Sequence, residues 1–173
     1  MKIALDISPL SKGHKNRGIG TYTSSLLEEL RKSKNEVDLV TFEGTKKIPQ
    51  ADVIHFPYFD FFYHTLPLKK MSPTVVTIHD AIPLVFKKHF NVGIKGNINL
   101  SLQKVSLRNT KAVICDSKSS KIDIEKKLSY KSDNIFPIYL APKNCFKKIT
   151  SNKVLSDVKK KLNLKSEYFL YVG

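Results

Sequence analysis

Short β-branched runs alternate along this chain with stretches in which apolar residues recur at helical spacing. Residues 2–8 alternate and stop at Pro9, which predicts a first strand. Leu26, Leu27 and Leu30 share one helical face, so a helix follows from about Thr21, with Thr21 as its cap and Ser24 or Ser25 in its first turn. Strands are predicted over 37–42, 52–56 and 74–78, the last apolar enough to be buried on both faces. A helix over 97–109 carries Ile98, Leu102, Val105 and Leu107. Residues 112–115 form a fifth strand ending at Asp116-Ser117, and 120–128 a helix with Ile122, Ile124 and Leu128. A sixth strand covers 135–140 and a last helix 154–164. Residues 168–173 read as a strand, either a final edge or the opening of a second domain.

Strands alternating with helices imply an α/β fold, a three-layer Rossmann-like domain with a mainly parallel sheet. The expected organisation is one domain over 1–150, with a linker helix and the start of another over 151–173. At 173 residues and 41% hydrophobic, the chain can bury a core without disulfides. Cys115 sits in an apolar run and Cys145 in a polar stretch, and no CxxC occurs, so a reducing, cytoplasmic setting is expected. No apolar run is long enough to span a bilayer, and the N-terminus lacks signal-peptide features.

The net charge of +15 raises nucleic acid and anionic membranes as partners. Only Arg17, Arg31 and Arg108 are arginines, and the lysines are scattered in pairs and triplets. Lysine is the poorer choice for bidentate phosphate reading, and no nucleic-acid motif accompanies the charge. Nucleic acid is therefore not expected. A solvated surface or an attachment at the inner face of an anionic membrane remains open.

Two places carry chemistry. Gly18 and Gly20 precede a helix, where free amides and the helix dipole favour an anion, and Arg17 adds a cation. The dinucleotide fingerprint fails here: its third glycine is missing, and residues 9–17 intervene where a tight turn is needed. The alternative is a flexible loop feeding a helix. The second place is His79-Asp80, at the carboxyl end of the fourth strand, where open α/β sheets bind ligands. Its alternative is structural, with His79 packed on a loop and Asp80 capping the turn before Pro83. The histidines show no metal-ligand spacing, and no GxSxG elbow occurs. His55 reads as a core histidine. The aromatic cluster over 56–63 reads as core, with an acceptor groove or membrane contact as the other option.

In order and spacing, these segments resemble the N-terminal half of a family 4 glycosyltransferase of the GT-B fold. The opening MKIALDISPL, the GIGTYT loop and helix, TIHDAIP at 77–83, Val113–Ser117 with Ser120-Lys121, and YFLYVG at 168–173 carry the likeness. The resemblance implies retaining sugar transfer from a nucleotide-sugar co-substrate to a saccharide or lipid-linked acceptor, without a bound metal or other cofactor. It implies His79 as the catalytic histidine, with Gly18, Gly20, Ser117 and Ser120 at the substrate; Arg17, Thr21 and Asp80 beside them complete the expected substrate-binding set. It also implies a C-terminal donor-binding domain carrying a glutamate pair, without which this stretch is expected to be inactive. The rival expectation is a non-catalytic α/β module that binds a phosphate-bearing ligand at the glycine loop.

Overall fold

The computed structural model describes residues 1–11, 13–33, 36–90, 92–142, 146–164 and 166–171. It divides into two compact units, Met1–Leu140 and Ala141–Gly173. The first holds β1 (Lys2–Asp6), α1 (Ser8–Ser11), α2 (Gly18–Lys32), β2 (Asp38–Phe42), β3 (Val53–Phe56) and β4 (Thr74–Thr77). These are followed by α3 (Ile82–Val85), α4 (Gly93–Arg108), β5 (Ala112–Cys115), α5 (Lys118–Leu128) and β6 (Ile135–Pro137). The six strands form one all-parallel open sheet in the order β2-β1-β3-β4-β5-β6, flanked by helices, which is the expected three-layer Rossmann-like α/β fold.

Parallel strands covered on both faces need continuous apolar runs. Ala4, Leu5, Ile54, Phe56, Val76, Ile78, Val113 and Cys115 are accordingly buried. Each large aliphatic side chain so buried contributes about 1.5–3 kcal/mol. Phe59, Phe61 and Leu66 extend this core, so the aromatic cluster after β3 is chiefly packing. His55 is buried, as read from the sequence, and its Nε2 lies 2.9 Å from Thr77 Oγ1.

The sheet order reverses at β1, with β2 on one side and β3 on the other. The carboxyl ends of β1 and β3 therefore flank the crevice where such folds take ligands.

Several boundaries differ from expectation, each for a local reason. β1 stops at Asp6 because its carboxylate accepts Ser8 N at 3.0 Å, Ser8 Oγ at 2.9 Å and Gly44 N at 2.9 Å, turning the chain. α2 begins at Gly18 with Arg17 as its N-cap, so Thr21 is not the cap; its amide already donates to Arg17 O. α4 begins at Gly93, and the face it buries is Gly96, Leu100, Gln103, Ser106 and Leu107. Ile98, Leu102 and Val105 face outward. β6 ends at Pro137, beyond which Ile138, Tyr139 and Leu140 are exposed.

In the second unit, α6 (Asn152–Lys161) is capped by Ser151, whose Oγ accepts Val154 N. Residues 168–171 are exposed and form no strand, because a strand needs a partner for its amides and carbonyls and none pairs with them among the described residues. Val172 and Gly173, the end of that predicted strand, lie outside the described residues, as does Cys145.

Candidate functional site

β4 and β5 run in parallel with Thr77 opposite Ile114, and the ladder continues through Ile78 N to Ile114 O at 2.9 Å. Two residues further, this register sets His79 opposite Asp116. The imidazole Nδ1 lies 2.8 Å from Asp116 Oδ2. In a neutral ring, a carboxylate there holds the proton on Nδ1 and leaves Nε2 as the acceptor. His79 Nε2 and Asp116 Oδ1 are both buried and have no partner among the described residues. An unmet buried polar atom costs about 1–3 kcal/mol, so two at one spot mark where an incoming polar group would offset a cost.

The backbone beneath the histidine is held by the serine turn. Ser117 caps α5, accepting Ser120 N at 3.0 Å. Its hydroxyl donates to Ser120 Oγ at 3.0 Å, and Ser120 Oγ donates to the carbonyl of His79 at 2.9 Å. Ser117 and Ser120 thus join the site as positioning residues for His79.

Helix α2 reaches the same rim. Tyr22 sets its ring edge-on to the imidazole, with centroids 4.8 Å apart and planes at 87°. Its hydroxyl lies 3.1 Å from Thr77 Oγ1, the hydroxyl that His55 also reaches. Burial pushes the Tyr22 phenol up, against the lowering effect of Thr77, while Asp116 adds to the rise. Burial holds His55 down to about 4, so it is neutral and structural. Gly18 stands one helical turn before Tyr22, about 6 Å along the axis, so the N-terminus of α2 lies toward the same carboxyl edge of the sheet as His79.

That N-terminus has no side-chain cap and no acidic residue in its first turn. Arg17 and Gly18 are exposed there. Gly20 serves a different end. A Cβ on it would stand 2.3 Å from His14 O and 2.6 Å from Lys15 O, so the missing side chain is what lets the preceding loop close over the helix. His14 in that loop packs on Tyr58 after β3, centroids 4.6 Å apart, and its Nδ1 is buried without a partner among the described residues. Burial and the Asp60 carboxylate, which accepts the Tyr58 hydroxyl at 2.6 Å, raise the phenol, while the Arg17 cation draws it down.

The structure thus brings His79, Ser117, Ser120, Arg17, Gly18 and Gly20 to one rim of the sheet. Asp80 is exposed, and its Oδ1 accepts Ile82 N at 2.9 Å to start α3, the role its place before Pro83 allows. Thr21 is exposed within α2. Asp116 and Tyr22 were missed as site residues. For Asp116 the available signal was a carboxylate at the end of a strand; for Tyr22 it was an aromatic residue one turn into the glycine helix. Among the described residues no three His, Cys, Asp or Glu side chains converge as metal ligands. Comparison with protein-family models and with curated proteins found no match to this chain.

Proposed function

We propose that this chain is the acceptor-side domain of a retaining glycosyltransferase that moves a sugar from a nucleotide-sugar to a cell-surface polysaccharide or glycolipid acceptor. The observation that carries the reading is the His79–Asp116 pair, whose Nε2 has no partner among the described residues, on the sheet edge that also carries the uncapped N-terminus of α2. The ordered resemblance of the segments to family 4 glycosyltransferases supports it. Departure of a nucleoside diphosphate calls for preorganised hydrogen-bond donors and positive charge where the negative charge develops. The first-turn amides of α2 and Arg17 are suited to that task. His79, oriented through Nδ1, would use Nε2 to accept a hydroxyl of the donor sugar.

The test is turnover by the gene product carrying this chain, assayed with nucleotide-sugars and saccharide or lipid-linked acceptors. His79→Ala should lower turnover by about 100-fold or more at a stability cost of only about 1 kcal/mol, since the pair is partly exposed. Undiminished transfer by that variant would remove His79 from the chemistry.

One observation favours a second reading, a module that holds a phosphate-bearing ligand without turning it over. The amides at the start of α2 are uncapped, and the cation of Arg17 lies next to them. Under this reading Arg17→Ala abolishes binding of inorganic diphosphate, whereas His79→Ala costs stability alone.

A further inference from the structure

Helix α4 is apolar on two faces. The inner face packs against the core through Leu100 and Leu107. On the outer face Ile94, Ile98, Leu102 and Val105 lie within about 80° of one another around the axis. They are 82%, 56%, 40% and 49% exposed. Phe86 and Phe90, just before the helix, are exposed as well. Lys87, Lys88 and Phe90 line one surface hollow with Gly93 and Asn97, which sets this segment against the start of α4.

The charge of the segment that carries this face has one sign. From residue 82 to residue 111 there is no Asp or Glu, while Lys87, Lys88, Lys95, Lys104, Arg108 and Lys111 fall within it. Partial burial, followed by the cations of Lys87 and Arg108, draws the Lys104 ammonium down, so cations from two segments gather on one flank.

We propose that the outer face of α4, with Phe86 and Phe90, docks on an anionic lipid bilayer. Ile94, Ile98, Leu102 and Val105 enter the boundary between headgroups and acyl chains, and Lys87, Lys88, Lys95, Lys104 and Arg108 meet headgroup phosphates. Two features select a bilayer over a protein partner. Protein interfaces are depleted in lysine, whereas lysine stems lie along an apolar surface and carry their charge to the headgroup level. Each cation near an anionic leaflet also raises affinity about fivefold, which matches a segment without carboxylates. No helix among the described residues is long and apolar enough to cross a membrane, so the attachment is interfacial. The inference stands apart from the glycosyltransferase reading and survives if the chain transfers no sugar.

The experiment is co-sedimentation of the chain with vesicles of phosphatidylcholine alone and with roughly one third phosphatidylglycerol, at low and high salt. The expected result is binding to the anionic vesicles that weakens as salt rises, and little binding to the neutral ones. Ile94→Asp/Ile98→Asp and, separately, Lys87→Glu/Lys88→Glu should each weaken binding about tenfold or more. All four positions are exposed, so circular dichroism and melting should match the parent. Helix α6 is also basic, with partly exposed apolar residues, so Val154→Asp/Leu155→Asp is the control and should bind as the parent does. Three results would overturn the proposal. The first is full binding by both α4-face variants. The second is loss confined to the α6 variant. The third is no vesicle binding, together with a dimer that Ile94→Asp/Ile98→Asp converts to monomer in sedimentation velocity, which assigns the face to a second copy.

Discussion

His79 and Asp116, each just past the end of a neighbouring parallel strand, share a 2.8 Å hydrogen bond between Nδ1 and Oδ2. The pairing of Thr77 with Ile114 dictates the meeting. A slip of one residue would turn every side chain of β4 to the other face of the sheet, and the bond would be lost with the core.

The bond sets the ring's tautomer, and imidazole nitrogen NMR reads that directly. With Asp116 in place the neutral ring should carry its proton on Nδ1. In Asp116→Ala it should become a mixture of tautomers, at a stability cost of about 1 kcal/mol because the pair is partly exposed. An unchanged tautomer in the variant would mean that the carboxylate does not orient the ring.

The two glycines of the loop should respond oppositely to alanine. Gly20→Ala drives a Cβ into the carbonyls of His14 and Lys15, and should cost about 1–3 kcal/mol. Gly18 has open space at that position. Gly18→Ala should leave stability unchanged or raise it by up to about 1 kcal/mol. Urea unfolding of the two variants decides the matter, and equal costs would contradict the packing described here.

Acid should weaken the fold through His55. Its folded value of about 4 lies below the ordinary 6.5, so the unfolded chain binds the proton more readily between these values. Stability is then fully present above about pH 6.5 and is lost as pH falls toward 4, by up to about 3 kcal/mol. His55→Gln can keep the contact to Thr77 without titrating. Between about pH 7 and about pH 4.5, the parent should lose more unfolding free energy than this variant. Equal losses would exclude His55 as the group responsible.

Ser117 and Ser120 should act as one unit. Ser117→Ala removes the cap of α5, at about 1 kcal/mol. Ser120→Ala leaves the His79 carbonyl without its donor, at about 1–3 kcal/mol. Their hydroxyls are bonded to each other, so the double variant should depart from additivity by about 0.5 kcal/mol or more. Strict additivity in denaturant titrations would argue against the coupled turn.

Much of the fold was legible in local pattern. The runs around Ile54, Val76 and Val113 announce buried strands, and their alternation with helices announces a parallel sheet. His55 and the aromatic cluster read correctly as core. At α4 the same reasoning gave the helix but no inward face, because Ile98, Leu102 and Val105 keep helical spacing just as Leu100 and Leu107 do. Spacing shows that a helix is amphipathic but not which of two apolar faces turns inward. The start of α2 was misjudged at Thr21 because Arg17 caps it without a side-chain bond, and so leaves no sequence signature.

The amino-acid sequence by itself determined the kinds of element, their succession and the chemistry at their ends, since side-chain shape and polarity act over a few residues. Only the tertiary structure decided that Asp116 rather than Asp80 meets His79, and that Tyr22 closes on the same ring. Those contacts join residues tens of positions apart. They follow from which strands pair and in what register, and that is settled by the hydrogen-bond ladder and core packing of the whole sheet at once.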